Sequence, residues 1–265
     1  MQLRTLGQGD LPEAVALLEV AGLAGAKVNL ARYLRCQPHC GWAAIVDGRL
    51  VGLVTVLRQG TAAFIGAMAV HPEHRGARIG RRLLEHGQDE ARGAGITTFL
   101  LEATPLGEHL YRKLGYVAEH DTLIALRERS GLPPLMRITA HRAAISRLDR
   151  AATGVVRDDM LIDLLAEGGP GVAIQRAGEL IAVGMIIGDR LGPVLAMDPG
   201  AGREIVDRLA PACTVTAVPE TNRAAVDALT RHGFVETRRL RRMRLGPAVP
   251  VRPEWIWALA SPGAG

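Results

Sequence analysis

The chain has 265 residues, of which 48% are apolar and only 3% are aromatic, and its net charge is +5. This length and this apolar content predict two domains, each with a sizeable core. The scarcity of aromatic side chains disfavours a stacking surface for single-stranded nucleic acid. The positive charge favours an anionic partner but does not choose between phosphorylated cofactors, acidic substrates and nucleic acids.

The cysteines and the N-terminus indicate the compartment. Cysteine occurs only at Cys36, Cys40 and Cys213, too few for a disulfide framework, and 36–40 offers at most three metal ligands, so no metal is expected. The N-terminus lacks the plan of a signal peptide, and the longest apolar run, Leu180–Ile187, is too short to span a bilayer. We therefore expect a cytoplasmic protein with no membrane partner.

The first half alternates between strand and helix patterns. A strand at 2–6 and a helix to about residue 21 are followed by apolar runs at 42–46 and 50–57, which flank the hairpin signal Asp47-Gly48. Another strand follows at 62–70. These three successive runs predict neighbouring antiparallel strands.

Helical spacing begins at Arg78 and ends at 93–95. A buried strand is predicted at 96–103, a short helix at 106–114, and a final strand or hairpin at 116–126. The order predicts an α+β domain, layered α/β/α, with a mixed and mostly antiparallel sheet and one parallel crossover.

The second half repeats the first. Residues 173–184, 192–199 and 231–235 echo 44–52, 66–72 and 113–117 in the same order, at offsets of 130, 127 and 118. This indicates a tandem duplication with deletions in the second copy. We expect a first domain at 1–127, a linker at 128–135, a second domain at 136–250, and a C-terminal strand and tail at 251–265.

The segment HPEHRGARIG, residues 71–80, connects a strand to a helix and has the features of an anion site. Unpaired backbone N–H groups and the positive end of the helix would meet there, and Gly76 and Gly80 permit close approach of the backbone to phosphate oxygens. The spacing matches neither a P-loop nor a dinucleotide-binding turn. From the residues alone, an ordinary arginine-rich helix start remains the alternative.

Two motifs in the first half resemble the GNAT superfamily of N-acetyltransferases. Arg75-Gly76-Ala77-Arg78-Ile79-Gly80 is similar to the family's pyrophosphate-binding signature Gln/Arg-x-x-Gly-x-Gly/Ala, and 110–116, LYRKLGY, is similar to its downstream Leu-Tyr-x-x-Leu-Gly-Phe. The resemblance extends over residues 1 to about 127. It implies two GNAT-like domains, since 136–250 resembles a divergent partner copy.

The resemblance implies acetyl-CoA as the cofactor. Its pantetheine arm would pair with backbone of Met68, Ala69 and Val70, and its pyrophosphate would lie on the loop formed by Arg75, Gly76, Ala77, Arg78, Ile79, Gly80 and Arg81. Arg78 stands where the family pattern has its first glycine. Helical geometry at Arg78 would lay the guanidinium along the surface near a phosphate, and we expect it to add an ionic component to binding.

Tyr111 matches the family's general acid. A phenol, with a reference pKa of about 10, is protonated at neutral pH and can donate to a thiolate whose reference pKa is about 8.5. The alternative is an aromatic side chain packed at the edge of a helix.

No carboxylate is present in 61–70, where many relatives carry the general base. Glu102, near the end of the next strand, is the best substitute for this base, and His71 and His109 are weaker candidates. A chain of water molecules without a dedicated base is a further alternative.

The second copy lacks this chemistry. Alignment of Gly233 with Gly115 places Leu229 at the position of Tyr111, and residues 200–205 lack the pyrophosphate-binding signature. We expect this copy to be a scaffold, so that the chain is a monomer built as a pseudo-dimer, or a homodimer. The arginine-rich run 238–244 is interpreted as the solvated face of a terminal strand rather than as a nucleic-acid contact.

These observations predict an acetyl-CoA-dependent N-acetyltransferase in which a primary amine, on a small molecule or a peptide, attacks the thioester directly in a ternary complex. The acceptor loops are expected at 23–35 and 119–127, and they carry no recognisable specificity code. A non-catalytic acyl-CoA-binding or sensing protein is the alternative, and a nucleic-acid-associated protein is a second rival.

Overall fold

The computed structural model describes residues 1–132, 138 and 142–265, and for Ala24, Lys27 and Val28 it describes the backbone alone. The predicted linker at 128–135 therefore lies partly outside the described residues. Within those residues we find no helix with the length and hydropathy of a transmembrane segment.

The helices follow the periodicity of the sequence. In the described part of the chain they are Leu11–Val20 (α1), Lys27–Cys36 (α2), Ile79–Gly93 (α3), Pro105–Lys113 (α4), Arg142–Thr153 (α5), Asp158–Ala166 (α6), Pro199–Leu209 (α7) and Arg223–Arg231 (α8). Helices α1 and α2 cover one face of the first copy's sheet, with Leu18 and Leu34 packed near Phe64. Helix α3 covers the other face, with Leu83 near Phe99.

The strands of both copies belong to one sheet. Over the described ranges they are Gln2–Thr5 (β1), Gly41–Val46 (β2), Arg49–Gln59 (β3), Ala62–Val70 (β4), Thr98–Ala103 (β5), Val117–Leu126 (β6), Gly171–Arg176 (β7), Glu179–Ile187 (β8), Arg190–Ala196 (β9), Val215–Pro219 (β10), Val235–Leu245 (β11) and Ile256–Ala258 (β12). Their order is β1-β2-β3-β4-β5-β11-β6-β10-β9-β8-β7, with β12 beside β9. The parallel pairs are β4–β5 and β9–β10, so the predicted layered α+β class with a mostly antiparallel sheet is confirmed.

The two copies exchange their last strands. Strand β11 of the second copy lies between β5 and β6, with Arg242 opposite Glu102. Strand β6 of the first copy pairs on its other edge with β10, where Thr122 lies opposite Pro219. As a result, side chains of the second copy enter the wall of the first.

Strands β4 and β5 diverge at their carboxyl ends. Their pairing begins where Ala62 lies opposite Thr98 and ends where Ile65 lies opposite Leu101. Strand β4 continues to Val70, paired there with β3. A bulge at 66–67 lies opposite Thr55, whose Oγ1 accepts a hydrogen bond from the Ala67 N–H at 3.0 Å. Beyond Ile65 the β5-facing edge of β4 therefore has no strand partner among the described residues.

The corresponding gap in the second copy is filled by the chain itself. Strands β9 and β10 pair only at Arg190–Val215 and Leu191–Thr216. Strand β12 then lies along β9, and the Leu259 N–H donates to the Ala217 carbonyl of β10 at 2.8 Å.

Both hairpin turns confirm the repeat. Asp47 and Gly48 have φ values of 49° and 77°, and Ala177 and Gly178 have values of 50° and 81°. Two successive residues with positive φ form a type I′ turn, which matches the twist of the flanking strands.

The loop conformation predicted for the acceptor segments at 23–35 and 119–127 is wrong over most of their length. Residues 27–36 form α2, whose buried face carries Leu30, Tyr33 and Leu34 at helical spacing, and 119–126 belong to β6.

The prediction of a solvated strand face at 238–244 holds only in part. Strand β11 is interior to the sheet; Arg238 and Arg239 are exposed, whereas Arg242 is buried. Four of its arginines meet carboxylates: Arg239 with Glu220, Arg241 with Asp121, Arg242 with Glu102 and Arg244 with Glu119.

Candidate active site

A cavity of about 660 Å³ opens where β4 and β5 diverge. Its walls come from the turn after α1, from α2, β4, the start of α3, the end of β5 and the first turns of α4. The second copy and the C-terminal tail supply the remaining wall, through Arg190, Arg238, Leu240, Pro262 and Gly263. Both copies and the tail therefore shape one site.

The unpaired edge of β4 forms one side of this cavity. Met68, Ala69 and Val70 all line it. Their other edge is held by β3, with Val54, Leu53 and Gly52 directly opposite. A rigid strand with free N–H and C=O groups can bind an extended amide-containing chain by adding a strand.

The turn between β4 and α3 has the geometry of an anion cradle. Gly76 has φ +82°, and Arg78 is the N-cap of α3 with φ 59° and ψ 15°. The first intrahelical bond runs from Arg82 N–H to the Arg78 carbonyl, so by helix geometry the preceding N–H groups of α3 lack helical acceptors. A Cβ on Gly80 would lie 3.1 Å from Met68 Cε, so glycine lets the helix approach the floor of β4 closely.

Arg78 does not have the helical geometry that would lay its side chain along the surface. Its backbone is in the left-handed region, where glycine is favoured, and this accounts for the glycine in the family pattern. Arg75 donates through Nε to the Val70 carbonyl at 3.3 Å and through Nη2 to the Ala21 carbonyl at 3.5 Å, which ties the loop to β4 and α1. Arg81 pairs with Glu85 at 2.8 Å.

Tyr111 lies on the wall of the cavity. Thr104 Oγ1 caps α4 by accepting from the Gly107 N–H at 3.2 Å, and this fixes the helix that carries Tyr111. The ring packs edge-on against Tyr116 at 5.6 Å, and the hydroxyl donates to Met68 Sδ at 3.2 Å. Burial raises the pKa of Tyr111, so the hydroxyl keeps its proton at neutral pH.

Glu102 contributes to the cavity wall from β5, but only 1% of its side chain is exposed. Arg242 Nη1 lies 3.4 Å from Oε1, and Oε2 has no hydrogen-bond partner among the described residues. Burial raises the pKa of Glu102 to about 7, and the Arg242 guanidinium acts in the opposite direction. A carboxylate with such a pKa can exchange a proton near neutral pH.

The two histidine candidates are not brought to the cavity. His71 accepts from the Glu73 N–H through Nδ1 at 3.4 Å, which makes it a local cap, and His109 is exposed on α4. Neither contributes to the wall. The described residues also contain no group of three or more histidine, cysteine or carboxylate side chains placed to hold a metal ion.

The segment at 23–35 was expected near the acceptor, and its Tyr33 lines the cavity; sequence reasoning missed the part of the site that comes from the second copy and the tail. Tyr33 of α2 is buried, and its hydroxyl lies 2.7 Å from Ser261 Oγ. Burial raises the pKa of Tyr33 to about 12. The helical spacing of Leu30, Tyr33 and Leu34 could have revealed α2, but no local signal places the tail against it.

The equivalent site of the second copy is closed. The Asp198 carboxylate accepts from the N–H groups of Gly200 and Ala201, both at 2.9 Å, and so occupies the start of α7. A Cβ on Gly202 would lie 2.1 Å from the Trp257 ring, which shows how closely β12 packs on that helix. Leu229, at the position of Tyr111, is buried and carries no polar group.

Two family models of the acetyltransferase (GNAT) domain match the chain, one over residues 37–118 and the other over 145–258. The chain belongs to the GNAT superfamily, as two domains in tandem. The first match contains the cradle and α4 of this tandem GNAT protein, and the second contains the closed copy up to β12.

One curated relative, an IAA acetyltransferase from Azospirillum brasilense, is 43% identical over 70 residues. The match spans 24% of the tandem GNAT protein and 44% of that relative, which is less than half its length.

Solved structures share the fold over nearly the whole chain. A putative acetyltransferase from Pyrococcus horikoshii has a TM-score of 0.89 at 19% identity, covering 100% of this chain and 95% of that one. A GCN5-related N-acetyltransferase from Sphaerobacter thermophilus has a TM-score of 0.68 at 14% identity, covering 95% and 98%. A tandem GNAT protein from the clavulanic acid biosynthesis pathway has a TM-score of 0.61 at 17% identity, covering 93% and 99%. These likenesses show a tandem GNAT fold.

Proposed function

We propose that this tandem GNAT protein is an acetyl-CoA-dependent N-acetyltransferase whose first copy acetylates a primary amine. The observation that carries the proposal is that Tyr111 lines the same cavity as the unpaired edge of β4, with its hydroxyl bonded to Met68 of that strand. Acyl transfer from a thioester requires two things that this cavity offers. One is a strand edge that can hold an extended ligand, and the other is a protonated phenol beside that edge.

The residues present fit coenzyme A. Backbone groups of Met68, Ala69 and Val70 would hold the pantetheine arm, and the loop from Arg75 to Arg81 would hold the pyrophosphate. When bound, acetyl-CoA supplies an acetyl group activated as a thioester. The three cysteines do not line the cavity, and burial raises the pKa of Cys40 to about 12, which supports direct attack by the amine rather than an acyl-cysteine.

Glu102 would accept one proton in the reaction, and Tyr111 would donate another. As the amine nitrogen bonds to the acetyl carbon and the carbon–sulfur bond breaks, Glu102 accepts a proton from the amine, through water. Tyr111 gives its proton to the departing thiolate sulfur. The raised pKa of Glu102 suits a base that works near neutral pH, and the raised pKa of Tyr111 keeps its proton in place until the thiolate forms.

For the second copy we propose a scaffold role. Its cofactor gap is filled by β12, and it supplies Arg190, Arg238 and Leu240 to the cavity of the first copy. We retain the division into domains at 1–127 and 136–250, with the tail at 251–265, as a proposal in which the last strands of the domains are exchanged. The chain would then act as a monomeric pseudo-dimer.

The experiment is to measure release of free thiol from acetyl-CoA over a broad panel of primary amines, together with calorimetric binding of CoA. We expect CoA to bind and at least one amine to give turnover that Tyr111→Phe strongly reduces. CoA binding with no turnover above the Tyr111→Phe background for any amine would overturn the enzymatic function.

One observation favours the alternative of a non-catalytic acyl-CoA-binding protein. The Glu102 carboxylate is nearly inaccessible and pairs with Arg242, and β4 carries no carboxylate that could replace it. The same assay separates the two functions, since a binding protein would bind acetyl-CoA and release no thiol above background.

A further inference from the structure

Among the side chains that the structure describes, four charged ones line the cavity: Arg75, Glu102, Arg190 and Arg238. Arg75 donates to backbone carbonyls at the cradle end, and Glu102 is paired with Arg242. Arg190 and Arg238 have no ion-pair partner in the described part of the chain. The end of the cavity formed by the second copy therefore carries two guanidinium groups that make no ion-pair contact with a described carboxylate.

Arg190 is held in a poorly hydrated position. Its Nη1 is buried and has no hydrogen-bond acceptor among the described residues. Asp189, its neighbour in the chain, accepts instead from Thr214 Oγ1 at 2.7 Å. Burial lowers the pKa of Arg190, and Asp189 opposes this. A buried N–H of a guanidinium without an acceptor costs free energy, and an anionic ligand at the half-exposed side of Arg190 would offset this cost.

Arg238 reaches this cavity because of the strand exchange. Strand β11 has a bulge between Glu236 and Arg238, which sets Arg238 opposite Ile124 of β6. Ile124 and Leu240, two residues further along β11, also line the cavity. Arg238 is exposed, so its guanidinium is free to meet a ligand that enters from solvent.

The two arginines lie away from the expected pyrophosphate site. The cradle is at the end of β4, whereas β11 is two strands away, or about 10 Å at the usual strand spacing of about 4.8 Å. Arg190, at the start of β9, approaches from beyond β6 and β10 and shares the cavity wall with Tyr33 and Arg238. An acceptor whose amine is at the β4 bulge could place an anionic group between them.

We propose that Arg190 and Arg238 form a carboxylate-binding subsite for the acceptor, so that the amine substrate is an amino acid or a peptide with a free carboxylate. The inference rests on the proposed acetyltransferase function and adds the chemical class of its substrate. Guanidinium groups suit this role because they bind carboxylates through paired, charge-assisted hydrogen bonds.

The test compares amines that differ only in the carboxylate. Each acid is assayed with acetyl-CoA beside its corresponding amide. The acids are glycine, β-alanine, γ-aminobutyrate, longer ω-amino acids and dipeptides. We expect kcat/KM to favour the carboxylates by about tenfold to a hundredfold, mostly through KM, with an optimum in the distance between amine and carboxylate. Equal kcat/KM for every acid and amide pair would overturn the subsite while leaving the acetyltransferase function standing.

Arg190→Gln and Arg238→Gln should each reduce this preference by raising KM for the carboxylates. Arg147→Gln is the matched control, because Arg147 is exposed on α5 and its loss changes the net charge equally. Arg238 is a surface residue, so its variant keeps the test valid if Arg190→Gln fails to fold. If the variants bind CoA more weakly but keep the same ratio of kcat/KM between acids and amides, the arginines serve the cofactor and the proposal is overturned.

A second readout does not depend on turnover. N-acetylglycine and N-acetyl-β-alanine, and their amides, are titrated against the protein saturated with CoA, with calorimetric detection. We expect the acids to bind more tightly and Arg238→Gln to remove the difference. If no amine is acetylated but the acids still bind selectively, the enzymatic function fails and the subsite stands; equal binding of acids and amides overturns the subsite.

Discussion

The hydroxyl groups of Tyr33 and Ser261 lie 2.7 Å apart and share a buried hydrogen bond. This bond joins α2 to the C-terminal tail at the floor of the cavity, beside Gly263. A Cβ on Gly66 would lie 2.8 Å from the Gly263 carbonyl oxygen and 2.5 Å from Thr55 Oγ1, so the tail crosses the β4 bulge where only glycine fits. The second copy thus closes the site of the first through its tail as well as through β11.

Tyr33→Phe and Ser261→Ala should each lower the free energy of unfolding by about 1–3 kcal/mol, since each leaves the other hydroxyl buried without a partner. The double variant should lose less than the sum of the two. Urea unfolding of the four proteins measures this coupling, and strictly additive losses would show that the two hydroxyls do not interact.

Tyr111→Phe should lower kcat by about 10²–10⁴-fold with little change in CoA affinity, because the phenol is the proposed proton donor to the thiolate. Tyr116→Phe is the matched control. Tyr116 contacts Tyr111 and accepts a hydrogen bond from Gln88 Nε2 at 2.6 Å, but it does not line the cavity. Equal losses of kcat in the two variants would indicate that Tyr111 acts through packing.

Glu102 should produce a pH dependence in both activity and stability. As the proposed base it must be deprotonated, so kcat should rise with pH through about 7 and this limb should disappear in Glu102→Gln. The pKa of Glu102 is raised in the folded state from 4.5 to about 7, so the folded state binds the extra proton between these values. Its contribution to stability is therefore full below about 4.5 and is lost as pH rises through about 7.

Two measurements check the role of Glu102. They are the pH profile of kcat and the free energy of unfolding from urea titrations between pH 4 and 8, for the native protein and for Glu102→Gln. Glu204→Gln is the control, since Glu204 lies on α7 of the second copy, pairs with Arg208 and does not line the cavity. An unchanged kcat profile in Glu102→Gln would exclude Glu102 as the base.

Substitution of Arg78 by glycine or alanine should separate its effect on stability from its effect on cofactor binding. Arg78→Gly relieves the left-handed backbone, so we expect it to be more stable than Arg78→Ala by up to about 1 kcal/mol. Both variants lose the guanidinium, and both should bind CoA equally or a few-fold more weakly at low salt. Thermal unfolding and calorimetry at two salt concentrations check this, and a large gain in CoA affinity in Arg78→Gly would show that Arg78 obstructs the cradle.

Gly202→Ala should test the closure of the second copy. The added methyl would meet the Trp257 ring, and we expect a loss of about 1–3 kcal/mol in the free energy of unfolding. Gly93→Ala is the contrasting variant, since nothing lies within 4 Å of its Cβ position in α3, and it should be neutral or stabilising. A neutral Gly202→Ala would mean that β12 does not pack on α7 as closely as the structure has it.

Much of the local structure could be predicted from the sequence. The hairpin at Asp47-Gly48, the strand ending at Val70 and the helix carrying Tyr111 each have signals contained in a few consecutive residues. The left-handed backbone of Arg78 was missed because an arginine there gives no local sign of it. The loop predicted at 23–35 is mostly the helix α2, whose apolar positions recur at helical spacing.

The sequence by itself determined the two copies, the order of their elements and the cradle with Tyr111, because these depend on periodicity and turn chemistry within short segments. Only the tertiary structure decided that β11 lies beside Glu102, that Arg190 and Arg238 face the first copy's cavity, and that the tail meets Tyr33. The physical reason is that β6 and β11 are the last strands of two copies of one domain and follow the same order of elements, so either could pair beside β5. The choice is made by packing between residues more than a hundred positions apart, and no local pattern records it.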